Sequence, residues 1–157
     1  MSNTSTPDTA SEQGRHEGPY FGIDVPFMRH IGLVAEHLEE GYARARLPLL
    51  PELVNSRGDV HGGTLMSALD FTLSAAARSH DPHGLGVITI DMTTHFLGTA
   101  RTDLVFEARV MRRGSRIVFC DGSAIDAHGS VVCTARAAFK LVPRRHKTEH
   151  AGEPVSG

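Results

Sequence analysis

The chemistry-bearing residues concentrate in one stretch, NSRGDVHGGTLMSALD, from Asn55 to Asp70. It places Asn55, Gly58, His61-Gly62-Gly63 and Asp70 at N-x-x-G-x-x-H-G-G-x-x-x-x-x-x-D. Asp70 is the only charged residue between Gly62 and Ala77. A carboxylate inside an otherwise uncharged helix is paired, protonated or functional. Burial would raise its pKa and suit it to act as a base near neutral pH. At 100° per residue, Gly63, Ser67, Asp70 and Ser74 share one stripe of small residues. Leu65, Leu69, Leu73 and Ala76 fall on the opposite, core side, with Met66 beside them. At the helix start, the first amides have no internal partner and carry the positive end of the helix dipole. Glycine lets a ligand approach them, so the Gly62 and Gly63 amides are candidate oxyanion donors; a tight turn is the plainer reason for the same glycines. Gly62 and Asp70 are separated by about 12 Å along one helix axis. Both groups must lie near one reacting carbonyl, so a catalytic pair requires Gly62 of one chain and Asp70 of another.

The elements that must position these groups are readable. Asp24 can cap a short helical turn in DVPFMRHIG, with Pro26 early. HIGLVAEHL and YARARLPLL alternate as strands around an EEG turn. The helix runs from Gly62 to about Ser79 and stops at Asp81-Pro82-His83-Gly84. LGVITIDMTTHFLG, TDLVFEARVMRR, SRIVFCDGSAID and SVVCTARAAFKLV read as four further strands in an antiparallel meander, separated by glycine-bearing turns. One helix covers one face of such a sheet. A helix without a charged face is buried on most sides, which predicts oligomerisation.

The chain has 157 residues, 40% apolar, with a net charge of −2, which suits one α+β domain and gives no general reason to expect nucleic acid or an anionic membrane as partner. Residues 1–18 are polar and small and are expected to be disordered, as is the tail 143–157; the domain is 19–142. No segment reads as a signal peptide or reaches the ~20 apolar residues of a membrane span, so a cytoplasmic location is expected. Cys120 and Cys133 have no metal-ligand spacing and are expected as buried reduced thiols. Nothing in the sequence calls for a cofactor or a metal. Arg57-Gly58-Asp59 spells a cell-adhesion tripeptide, a match short enough to arise by chance.

The Asn55–Asp70 pattern resembles the hotdog-fold acyl-CoA thioesterases, in particular the phenylacetic acid degradation-type branch. PFMRHIG, DMTTHFLGTAR and the last strands with the DAHG turn extend the resemblance to about 120 residues. It implies one long central helix wrapped by a curved antiparallel sheet of about six strands, a homodimer as the minimum catalytic unit with sheets joined edge to edge, and a homotetramer built from it. It implies hydrolysis of an acyl-CoA thioester, with an aromatic or medium-chain acyl group. Asp70 would be general base or nucleophile, and the Gly62 amide would polarise the carbonyl. Asn55 would orient substrate or water, His61 would brace the loop, and Thr89 would hold the water near Asp70. Arg112, Arg113 and Arg116, around one hairpin turn, and Arg101, after another, would meet the CoA phosphates, which suit bidentate arginine contacts; a solvated basic turn is the plainer reason for the same residues. The alternative is a hotdog protein that binds acyl-CoA without catalysis. Retention of Asp70 and the lack of a helix-turn-helix pattern ahead of the fold speak against it.

Overall fold

The computed structural model describes residues 19–145. The expected tails lie outside these residues, apart from 143–145, where Pro143 still ends the last strand. Two helices and six strands follow in order: α1 (Pro26–His30), β1 (Val34–Glu39), β2 (Tyr42–Leu47), α2 (Gly62–Arg78), β3 (Leu85–Phe96), β4 (Leu104–Arg113), β5 (Ile117–Asp126) and β6 (Val131–Pro143). A 3-10 turn at Pro51–Leu53 precedes the loop that leads into α2.

The strands form one antiparallel sheet in the order β1-β2-β4-β5-β6-β3. Only β4, β5 and β6 make a meander. β3 pairs with β6 at the far edge rather than with β4, which corrects the four-strand meander. The segment 97–103 carries the chain from that edge back to the centre. It is held on the way by Val60, whose amide donates to Ala100 O at 2.8 Å. Pairing between strands distant in sequence leaves no local trace, and short glycine turns alone do not separate a hairpin from a crossover.

The helix lies on the inner face. Leu65, Leu69, Leu73 and Ala76 are buried as the heptad of apolar positions requires, whereas Met66 is 38% exposed and belongs to the rim rather than the core. Inner-face residues Phe106, Val118, Cys120, Cys133 and Phe139 complete the core, and burial pushes the Cys120 thiol up to about 12 and the Cys133 thiol up to about 11. Helix and sheet touch closely at Gly122, where a Cβ would sit 2.9 Å from Glu107 O and 3.0 Å from Leu73 Cδ2.

Two ends of the fold depart from the expectations. Asp24 does not cap α1. The cap is Val25, without a side-chain bond, and Asp24 pairs with Arg29 instead. Before it, Tyr20 and Phe21 adopt φ of 50° and 59°, a left-handed turn that no sequence pattern announced. Left-handed backbone is costly for bulky residues. It is offset here by packing of both rings on Phe71 of α2, at 5.5 and 6.1 Å between centroids. Arg78 ends α2 buried. It donates to Pro82 O at 2.6 Å and Tyr20 O at 3.4 Å, and loss of water pulls its pKa down to about 10.

β3 carries a bulge between Thr89 and Asp91. Before it, Val87 and Thr89 face the helix; after it, Met92, Thr94 and Phe96 do, opposite inner-face Ala137, Ala135 and Cys133. The outer edge of β3 pairs with no strand among the described residues, and Ile88 and Ile90 are each 56% exposed there.

Candidate active site

Asp70 projects from the middle of α2, half-buried. Thr89 Oγ1 donates to its Oδ1 at 2.8 Å. Thr89 faces the helix because it opposes Phe139, which is fully buried on the inner face. Loss of water raises the Asp70 pKa above the usual carboxylate range, and the Thr89 hydroxyl, which bonds the ionised form, offsets part of that rise. Ser67 and Ser74 share the stripe but spend their hydroxyls on the helix itself, donating to Gly63 O at 2.7 Å and Phe71 O at 2.8 Å. The stripe thus leaves the Asp70 carboxylate as its one polar side chain not spent on the helix backbone.

At the other end of the stripe, His61 caps α2. Its Nδ1 accepts from the Gly63 amide at 2.9 Å, so the neutral ring carries its proton on Nε2. This removes Gly63 from the expected pair of oxyanion donors. The Gly62 amide is left over, at a helix start where amides lack intrahelical partners. A Cβ on Gly62 would lie 3.3 Å from the Phe96 ring, so glycine keeps open a narrow gap beside that amide. Through this cap the His61 ring is tied to the first turn of α2.

Asn55 Oδ1 accepts from the Arg57 amide at 2.9 Å and the Asp59 amide at 3.2 Å. Its carbonyl is spent on closing the turn, with Gly58 at φ 82° inside it. The amide nitrogen of Asn55 is the end still able to orient a substrate or water. Asn55, Gly62 and Phe96 line one cavity of about 180 Å³ together with Arg57 and Asp59. Asp59 is buried, not displayed as an adhesion motif would require. Its carboxylate bonds Arg101, which holds its pKa below the usual range, with Arg57 adding to the effect. Sequence reasoning missed Asp59, because its main partner is more than forty positions away.

The structure therefore joins Asp70 with Thr89 and places Asn55 with Gly62 on one cavity, with His61 capping the same helix start, but keeps the two groups at separate points of one helix. Arg112, Arg113 and Arg116 sit at the opposite end of β4 from the Gly62 loop. Arg113 pairs with Glu40 at 3.3 Å, while Arg112 and Arg116 are exposed. Among the described residues no group of His, Cys, Asp and Glu side chains is placed to hold a metal ion, and no helix is long and apolar enough to cross a membrane.

The sequence profile of the Thioesterase superfamily matches residues 57–133. A Halobacterium salinarum protein named as a candidate esterase is 31% identical over 129 residues, covering 75% of this chain and 85% of its own. A Mycobacterium tuberculosis structure, also of a candidate esterase, superposes with a TM-score of 0.71 at 26% identity, covering 78% of this chain and 100% of that one. The structure of the E. coli PaaI protein from the phenylacetic acid degradation operon gives a TM-score of 0.71 at 21% identity, covering 76% and 86%. The chain belongs to the thioesterase superfamily, and its fold is the hotdog fold.

Proposed function

We propose that the protein is an acyl-CoA thioesterase, cleaving an aromatic or medium-chain acyl-CoA to the free acid and CoA at a site shared by two subunits. The observation that carries this reading is Asp70: a lone, half-buried carboxylate with one oxygen held by Thr89 and its pKa raised by loss of water. Asp70 takes a proton from water as the water oxygen bonds to the thioester carbon. The carbonyl oxygen gains the electron pair and rests on the Gly62 amide of a second copy. Collapse re-forms the carbonyl, breaks the carbon–sulfur bond and expels the CoA thiolate, which recovers the proton from Asp70. Asn55 orients substrate or water through its amide nitrogen. The unpaired, apolar edge of β3 supports joining two sheets into a dimer, the smallest assembly that brings Gly62 to Asp70. Arg112 and Arg116 are outer contacts for the nucleotide end of CoA, with Arg113 held by Glu40.

The test is CoA release by purified protein over acyl-CoAs from acetyl to palmitoyl, with benzoyl- and phenylacetyl-CoA, and Asp70→Asn alongside. Turnover in the native chain that falls roughly 10²- to 10⁴-fold in the variant is expected for loss of a general base. Equal turnover in both would remove Asp70 from the mechanism, and binding without turnover in the native chain would make it a carrier or sensor of acyl-CoA.

A further inference from the structure

Two guanidiniums converge on one shielded carboxylate beside the Gly62 loop. The Asp59 side chain is only 5% exposed. Arg101 Nε bonds its Oδ1 at 2.5 Å and Arg57 Nε reaches its Oδ2 at 3.3 Å. One arginine would neutralise Asp59; the second leaves a positive charge in excess. Both contacts use Nε, one of the five N–H donors of a guanidinium, so the Nη ends remain available to another acceptor. Those side chains are 75% and 65% exposed. Each is nevertheless fixed at its Nε, which lowers the entropy lost on meeting a ligand. Arg57 lines the cavity that also contains Gly62. Arg101 comes from the crossover that Val60 pins through Ala100, so the pair and the candidate oxyanion donor ride on one hydrogen-bonded unit.

We propose that Arg57 and Arg101, splayed on Asp59, form an anion-binding pair that receives a phosphate or carboxylate group of the thioester substrate. The proposal rests on the acyl-CoA thioesterase reading and adds a second basic site to the β4–β5 hairpin. Paired planar donors suit either oxyanion, since both offer two oxygens at guanidinium spacing. In the substrate that group is either a phosphate of CoA or a second carboxylate on the acyl chain.

The experiment compares KM and kcat of the full chain, Arg57→Gln and Arg101→Gln with hexanoyl-CoA, adipyl-CoA and the N-acetylcysteamine thioester of hexanoate. The last carries neither anion. Losing one charged hydrogen-bonding partner is expected to raise KM by roughly tenfold or more, with kcat little changed. A rise with both CoA thioesters that vanishes on the N-acetylcysteamine thioester assigns the pair to CoA phosphate. A rise confined to adipyl-CoA assigns it to the acyl carboxylate. Unchanged KM on every substrate overturns the proposal, as does an equal loss on the anion-free thioester, which would mean a structural role. Arg57→Gln keeps the test open if Arg101→Gln does not fold, because Arg101 still pairs with Asp59. Should the native chain hydrolyse none of these and none of the wider acyl-CoA panel above, the thioesterase reading falls by itself. Calorimetric titration with CoA then judges the pair: weaker binding by Arg57→Gln retains it, and equal or absent binding overturns it.

Discussion

Thr89→Val isolates the hydrogen bond to Asp70 with almost no change in shape. The bond is 2.8 Å and its acceptor is a carboxylate. Hydrogen bonds to charged groups contribute about 1.5–3 kcal/mol, and the exposed position of Thr89 places this one at about 1.5 kcal/mol, roughly a factor of ten. The hydroxyl bonds the ionised carboxylate, so its removal favours the protonated one and raises the Asp70 pKa beyond its already raised value. On the acidic side of the pH profile, the rate follows the ionised fraction. There kcat/KM of the variant should fall by about tenfold. On the alkaline side of that limb the carboxylate is ionised in both proteins, and the two profiles should converge. Thr89→Ser should restore the native limb. Stopped-time assays of CoA release across pH would read all three profiles. A loss of the same size at every pH would show that Thr89 positions a group without tuning it. A limb that does not move would show that Asp70 is not the titrating base.

Asp70→Asn should gain stability as well as lose turnover. The folded pKa of Asp70 is raised, so the native state loses stability as pH rises through that pKa; thermal melts should coincide below the ordinary carboxylate range and diverge toward neutrality, the variant melting higher. Gly62→Ala places a methyl 3.3 Å from an exposed, movable Phe96 ring, so melts should shift by no more than about 1 kcal/mol. The same methyl should cut turnover roughly 10²-fold by denying a carbonyl the Gly62 amide, and full activity would exclude that amide as the oxyanion donor. Ile90→Lys puts a charge on the open edge of β3 and should yield a monomer in sedimentation without turnover; a monomer that still hydrolyses thioester would refute the shared site.

The helix and the two candidate groups on it were legible because their signals are local. An uncharged run around one aspartate, a glycine pair at the start and a three-to-four residue apolar period all sit within Gly62–Arg78. What escaped depends on partners distant in the chain. β3 beside β6 rather than β4, Asp59 under Arg101, and Tyr20 and Phe21 against Phe71 are contacts across the fold. Competition within a turn was also invisible. The sequence presents two glycine amides as equivalent, and only the His61 cap, formed at Nδ1, distinguishes them. The stripe around Asp70 was placed correctly by helical geometry, but the serines in it look inward to carbonyls, since a short hydroxyl in a helix finds its own backbone first.

The bulge at Thr89–Asp91 acts as a frame shift in β3. Strand side chains alternate between faces, so one inserted residue exchanges the face of everything beyond it. Thr89 and Phe96 are an odd number of positions apart and would face opposite sides of a regular strand. With the extra residue both face the helix, one beside Asp70 and the other beside Gly62. Taking Ile90 into regular pairing would leave composition, charge and helix untouched, yet turn Thr93 and His95 inward if Thr89 held its place. Each half of the candidate site is thus written in its own parity, and a single unpaired residue keeps the two in phase.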